Sequence, residues 1–488
     1  MPQINQSLII ILLISYITIV TYVGYHYRKN KDDEDYFLAS RQLPAWLLSI
    51  TFIASWWGGG SAIDLVDQAF TQGISSFWIY GVSVLLSTFL MWVFAAGIRR
   101  VTTLSQPELM AQRYDNRCAF LLALFILIFM GISSSIQVIV IGKFFQVFLN
   151  TDYTTGAVIG TLLVLFYSLF GGFKGVVLTD LVQFIFFLFA SIFLFCFTYD
   201  AAGGWQNIST SLAQHSTLGY TSFFHNIENN LAYVVTFGSS WMIQANVWQR
   251  ISAARSPKDA KRMMMISFWI FIPLYLTTTL IGMFSSVIYE TLPAEGIISQ
   301  LLLQMEMPFV AAIIFVGLCS AIMSTMDSMF NTGALSLTVD IYKKHISPHL
   351  PEKNYVRIAR WATLLMGSIA LFIGIRVQSV LTISWIGADF IATGVFVPLV
   401  LGFFWKRGTS LAAYSSMLFG LIFSSYNLMI ALGIDLPIAW EIASTRQAVI
   451  GMCSSLAIYI TVSLLTASEH EQQKAASFIR QVGLIKIK

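Results

Sequence analysis

Long apolar stretches separated by short polar breaks run through the chain from end to end. A helix needs about 20 apolar residues to cross the hydrocarbon of a bilayer. About thirteen stretches qualify, near 7–27, 45–66, 76–98, 118–149, 153–172, 174–197, 230–249, 263–289, 308–342, 355–376, 379–404, 409–433 and 447–467. The second of them carries Gly58-Gly59-Gly60 at its middle. Each glycine is about 1 kcal/mol poorer than alanine in a helix, so the pattern predicts either unwinding at mid-bilayer or close packing through small residues. Unwinding would free backbone carbonyls for a cation.

Composition makes lipid the solvent. Of the 488 residues 57% are hydrophobic and 11% charged, against about 25% charged in soluble proteins. So few charges cannot cover a water-facing surface, which excludes the three soluble domains that length alone would allow and predicts an all-α polytopic membrane protein. The net charge of +4 would raise nucleic acid as a partner, but its placement argues otherwise. With an external N-terminus, the segments predicted inside hold Arg28, Lys29, Lys31 and Arg41; Arg99, Arg100, Arg113 and Arg117; Lys174; Arg250 to Arg262; Lys343 to Arg360; Lys406 and Arg407; and Lys474 to Lys488. Only Lys143, Arg376 and Arg446 of the 28 basic residues fall elsewhere. Basic loops stay cytoplasmic, so the charge is an orientation signal and nucleic acid drops out. The C-terminus is expected inside, and the polar connection 198–229, which lacks Lys and Arg, outside. The first stretch lacks a basic leader and a small-residue exit, and reads as a retained helix.

Enzyme chemistry finds no foothold. Cys118, Cys196, Cys319 and Cys453 are isolated, the six histidines sit at span ends or in loops, and HExxH, GxSxG and the GxxxxGK phosphate cradle are absent from the sequence. The remaining class is transport driven by an ion gradient, with function inside the helices. Polar groups in mid-span are costly and mark candidate sites. Ser324 and Thr325 offer adjacent neutral oxygens suited to an alkali cation, or bond their own i−4 carbonyls. Asp327 and Ser328 follow them. Asp180 is a second intramembrane acid, held by Lys174 or serving an ion route. Trp241 and Gln244 on the seventh stretch, Lys143 on the fourth and Asp389 on the eleventh are candidates for a polar solute cavity, although Lys143 could equally neutralise Asp389 or snorkel.

Together these stretches resemble the sodium/solute symporter family, through most of the chain. The carrying segments are Tyr36 to Pro44, Gly171-Gly172 through Gln183, Trp248-Gln249-Arg250 with Ala253-Ala254-Arg255, Ser324 to Ser328 closing at Asp340-Ile341-Tyr342, and Gly402 to Arg407. The resemblance implies two five-helix inverted repeats of the leucine-transporter type, at about 45–197 and 230–404. A leading helix and loop (1–44), the external connection 198–229 and a trailing pair with its tail (405–488) would flank them. It implies a main sodium site on the carbonyls of Ala54, Trp57 and Ala321 and the hydroxyls of Ser324 and Thr325. A second ion site would fall on Asp180, Ser324, Asp327 and Ser328, with Asp327 standing where a hydroxyl is usual. The run Trp56 to Gly60 departs from the family's proline and sugar members, so the solute is not copied across. Trp56, Gly58, Trp241 and Gln244 are expected to line its pocket. The implied function is sodium-coupled symport of a small polar organic solute across a plasma membrane of the bacterial inner-membrane kind, with sodium, solute and lipid as partners. A proton-coupled carrier and a non-transporting sensor of the same fold are the alternatives.

Overall fold

The computed structural model describes residues 6–26, 37–214, 219–349, 351–434 and 444–484. Arg28, Lys29, Lys31, Tyr36, Lys486 and Lys488, used above, lie outside the described residues. The described chain is helical, with one isolated bridge between Leu43 and Ala254. In order the helices are α1 (Gln6–His26), α2 (Ala45–Ala54), α3 (Leu65–Gln72), α4 (Ser83–Val101), α5 (Gln106–Arg113), α6 (Asn116–Leu149), α7 (Tyr153–Ala201), α8 (Gly204–Gln214), α9 (Ile227–Met242) and α10 (Ala245–Ser252). They continue as α11 (Pro257–Ile288), α12 (Ile297–Gln304), α13 (Pro308–Leu335), α14 (Glu352–Arg376), α15 (Val380–Ile391), α16 (Val397–Gly402), α17 (Ser410–Ala431), α18 (Ser444–Thr466) and α19 (Glu469–Val482).

Among the described residues ten helices are long and apolar enough to cross a membrane unbroken, rather than thirteen. The other three predicted stretches differ for local reasons. The stretch 45–66 stops as a helix at Ala54, and 230–249 breaks at Ile243 and Gln244, between α9 and α10. The stretch 153–172 gives the shorter apolar helix Tyr153–Leu169. It joins the second half of α7 at Gly172, whose φ of 54° and ψ of −167° suit only glycine. Helix starts follow capping chemistry. Asp115 accepts from the Cys118 amide at 2.9 Å and Asp152 from that of Thr155 at 3.0 Å. Ser105 and Glu108 cap α5 reciprocally, Glu108 Oε2 lying 2.7 Å from the Leu104 amide.

Burial sorts the helices into centre and rim. In the most apolar windows of Pro308–Ile346 and of Val380–Gly402, 83% of residues are buried, against 33% in that of α1, so α13 and the α15–α16 span lie at the centre. Helix α13 packs along α7 and α6, while α1 lies on α7, and α17 pairs with α18. Ile185, Phe189, Ile192, Trp269 and Leu465 are exposed, as lipid-facing side chains need no polar cover.

The end of the bundle carrying the predicted basic loops is stitched by arginines on backbone carbonyls. Arg41 donates to Ser252 O (3.2 Å) and Thr103 O (3.0 Å), Arg99 to Ala254 O (2.5 Å), and Arg255 to Gln42 O (2.6 Å). Gln106 Nε2 donates to Ile243 O (2.9 Å), and Gln249 Nε2 to Phe37 O (2.8 Å). Arg113, 1% exposed, donates to Gly402 O, Trp405 O and Gly408 O. Several segments that carried the resemblance therefore meet in one seal, and charge-assisted bonds of this kind are the stronger class.

Candidate functional site

The site is built on the break after α2. The Trp57 amide bonds back to Ile53 O (2.9 Å) and the Gly58 amide to Trp56 O (3.0 Å), after which a wide turn over Gly60–Asp64 leads into α3. The chain can make this turn against α13 because residue 58 has no side chain. A Cβ there would lie 2.5 Å from Thr325 Oγ1 and 2.7 Å from Gln137 Oε1. Thr325 Oγ1 donates to its own i−4 carbonyl, Ala321 O, at 3.1 Å, as the local alternative had it, and stands 3.4 Å across the gap from Ala54 O. Three of the five implied sodium ligands thus converge. Trp57, 2% exposed, lies in the same turn with its ring centroid 5.0 Å from that of Phe187. Ser324 bonds not its i−4 carbonyl but Asp180 Oδ1. A hydroxyl whose proton is committed to a carboxylate keeps its lone pairs for a cation. The donors are neutral, hard oxygens, a set that fits sodium.

Next to them lies a small cavity of about 60 Å³, smaller than the usual small-molecule site. Trp56, Gly58, Trp241 and Gln244, the four expected pocket residues nearest the break, all line it. Trp56 and Trp241 meet edge to face at 5.5 Å, and Trp241 stacks on Phe237 at 5.0 Å. Gln137, Tyr80, Ser55, Ser61, Ser133 and Ser384 complete the polar lining, and Thr325 belongs to the same wall. No Asp, Glu, Lys, Arg or His is among the lining residues. Lys143 and Asp389 do not line it either. Lys143 is exposed on α6; Asp389 is buried, accepting from Thr393 (3.0 Å) and Asn427 (3.2 Å).

Asp180, expected beside Lys174 or at a second ion, is bonded to Arg250. Asp180 is 0% and Arg250 1% exposed, with Nη2 3.2 Å from Asp180 Oδ2 and 2.8 Å from Ser328 Oγ. Thr51 donates to the same carboxylate oxygen. Arg250, counted above as an orientation charge, is thus an intramembrane residue of the site. Asp327 is 2% exposed, and its Oδ1 has no hydrogen-bond partner.

Two residues were missed by the sequence reading. Gln137, 3% exposed, accepts from the Gly59 amide at 2.8 Å and so holds the unwound segment. It was detectable as the amide after Ser133-Ser134-Ser135 in the middle of an apolar stretch. Arg250 was hidden by its neighbours Arg255, Lys258, Lys261 and Arg262, which made it look like part of a solvated loop.

A membrane bundle with interrupted helices, an oxygen-lined gap and an adjoining cavity has the make-up of a secondary transporter. Residues 36–420 match the profile of the Sodium:solute symporter family, and the chain belongs to that family. It is accordingly a sodium-coupled solute symporter. It is 26% identical over 427 residues to the sodium/proline symporter of Haemophilus influenzae, covering 82% of this chain and 83% of that protein. Against the sodium/glucose cotransporter of Vibrio parahaemolyticus the identity is 25% over 452 residues, covering 82% and 81%. The fold matches that of a Na+-coupled sialic acid symporter in a substrate-bound outward-open state, with a TM-score of 0.77, 19% identity, and 94% and 98% of the two chains covered.

Proposed function

We propose that this symporter carries a small polar solute of no net charge, bound in the cavity beside the broken α2, with sodium held by Ala54, Trp57, Ala321, Ser324 and Thr325. The carrying observation is that Gly58 and Thr325 belong to both places: each lines the cavity, and each stands at the ion gap. A lining of indoles, a phenol, amides and hydroxyls without charged side chains favours a solute that stacks and hydrogen-bonds rather than one needing a counter-charge. Sodium drawing α2 toward α13 completes that wall, solute then binds more tightly, and closure followed by inward opening releases both. The reading involves no enzymatic step.

The proposed repeats are 45–197 and 230–404. Their support is that each begins with an interrupted helix, α2 to α3 in one and α9 to α10 in the other, as inverted-repeat carriers do around a midplane site. The alternating basic segments support an external N-terminus, an external connection 198–229 and a cytoplasmic C-terminus in a plasma membrane. Uptake into proteoliposomes with sodium and pH gradients imposed separately tests the coupling: a sodium gradient alone is expected to drive it, and drive by pH alone would overturn it. Competition by neutral, anionic and cationic solutes tests the class. Competition by anions alone would reject a neutral solute.

A further inference from the structure

We propose that the groove between α4 and α11, at the end of the bundle that carries the basic segments, binds one anionic glycerophospholipid. Its phosphate is held by Arg100, Lys258, Lys261 and Arg262, and its acyl chains lie along the apolar faces of the two helices.

The last turn of α4 and the first of α11 stand together, and the two helices pack along each other. Between them runs an open groove of about 670 Å³, room for a lipid headgroup rather than a single ion. Its lining holds four cations, Arg100, Lys258, Lys261 and Arg262, and no Asp or Glu. None of the four has a carboxylate within ion-pair reach among the described residues. The neighbouring acid in the chain, Asp259, accepts from the Ser256 hydroxyl at 2.8 Å. Arg100 uses Nη1 alone on the end of α19, at Val482 O (2.9 Å) and Gly483 O (3.1 Å), which fixes its guanidinium at the rim. The Lys261 ammonium lies 4.4 Å from the centre of the Trp92 ring, a contact that positions the charge without neutralising it.

Away from the cations each helix continues the groove as an apolar face. On α4 the positions are Arg100, Ala96, Trp92 and Phe89, and on α11 Lys258, Arg262, Met265 and Trp269, spacings that keep to one side of a helix. Eleven residues rise about 16 Å, close to one leaflet's half of a hydrocarbon core about 30 Å thick. Phe89, Met265 and Trp269 are 50%, 40% and 63% exposed, and Ala96, with only a methyl group, leaves the floor of the groove open. A molecule charged negatively at one end and apolar over the depth of a leaflet covers both parts. A soluble phosphate compound would cover only the first. Charges that serve orientation alone need no groove and no shared face; Lys406 and Arg407, exposed after α16, are of that kind.

The test uses the full chain in dodecyl maltoside, stripped of lipid. The probe is dioleoylphosphatidylglycerol, with dioleoylphosphatidylcholine as the counterpart of zero net charge and identical chains. Each basic residue near a membrane surface attracts an anionic lipid by a factor of about five. Native mass spectrometry is therefore expected to show one saturable phosphatidylglycerol, held at least about tenfold more tightly than phosphatidylcholine; equal retention of the two overturns the proposal. Lys258→Ala with Lys261→Ala is expected to bring the two lipids to within about twofold of each other. Lys406→Ala with Arg407→Ala removes the same charge elsewhere and is expected to leave the preference intact. A preference that survives the lysine pair, or falls equally in both pairs, overturns the site. Millimolar glycerol 3-phosphate, the headgroup without chains, is expected not to displace the lipid; displacement would assign the groove to a soluble phosphate compound and overturn the proposal. Ala96→Leu keeps all four cations and fills the floor. It is expected to weaken phosphatidylglycerol binding, and should the lysine pair fail to fold, undiminished binding in Ala96→Leu overturns the site.

Discussion

Replacing Gly58 with alanine adds one methyl group at the point where α2 crosses α13. That methyl would sit 2.5 Å from Thr325 Oγ1, 2.9 Å from Thr325 Cβ and 2.7 Å from Gln137 Oε1, whereas ordinary contact begins at 3.4 Å. Relief requires the broken segment and α13 to separate by roughly 0.9 Å, and overpacking of this degree costs about 1–3 kcal/mol. The displacement falls on the gap between Ala54 O and Thr325 Oγ1, already 3.4 Å, so the cost is expected to appear as lost sodium binding. By the relation of 1.4 kcal/mol per tenfold, sodium affinity should fall by about 5- to 150-fold. The assay is a sodium titration of the unfolding temperature of purified protein without solute, followed by the sodium dependence of uptake. Gly60→Ala is the control, since its Cβ would come nearest to the Tyr80 side chain, 3.2 Å from Cε1 and 3.3 Å from the hydroxyl oxygen. A side chain can give by those tenths of an ångström, and sodium affinity there should stay within about twofold. Unchanged sodium affinity in a well-folded Gly58→Ala protein would refute the assignment of the ion to this gap.

Removing both hydroxyls with Ser324→Ala and Thr325→Ala should raise the sodium needed for half-maximal uptake at least about tenfold, or about 1.4 kcal/mol; unchanged dependence contradicts their coordination of the ion. Gln137→Ala leaves the Gly59 amide without its acceptor. A buried unpaired donor costs about 1–3 kcal/mol, so solute affinity should drop, with Gln137→Glu, which keeps an acceptor, recovering part of it in the same uptake assay. Gly172→Ala places a Cβ at φ 54°, ψ −167°. Strain of about 1–3 kcal/mol should lower the unfolding temperature, while sodium affinity measured at a permissive temperature stays near that of the parent protein.

The fold was legible in the sequence because a bilayer imposes a simple requirement, a run of apolar residues long enough to cross it, and because three glycines in a row are poor helix. Thr325 stands 3.4 Å from the Ala54 carbonyl across the break, and Trp56, Gly58, Trp241 and Gln244 line one cavity. What stayed hidden depends on depth along the membrane normal. Arg250 lies five residues from Arg255 in the chain, yet it is buried among Asp180, Thr51 and Ser328 because α10 begins at a helix break well inside the bundle. A hydropathy pattern places a helix end only to within about four residues, and one turn decides between a solvated loop charge and an intramembrane ion pair. Lys143 and Asp389 fail to meet for a related reason. A polar residue in mid-span needs a partner, but the sequence does not say which: Asp389 finds Thr393 one turn away on its own segment and Asn427 on α17.

In the proposed arrangement the coupling of ion to solute follows from how little separates their two sites. Thr325 reaches the Ala54 carbonyl with its hydroxyl and also belongs to the cavity wall, so whatever draws α2 against α13 also shapes the solute site. Linkage makes the effect reciprocal: a solute that favours the closed gap raises sodium affinity by the factor by which sodium raises its own. One sodium entering at 100 mV supplies ~2.3 kcal/mol, and a tenfold gradient ~1.4. For a neutral solute that sum sustains accumulation of roughly 500-fold, and a second travelling ion would square it.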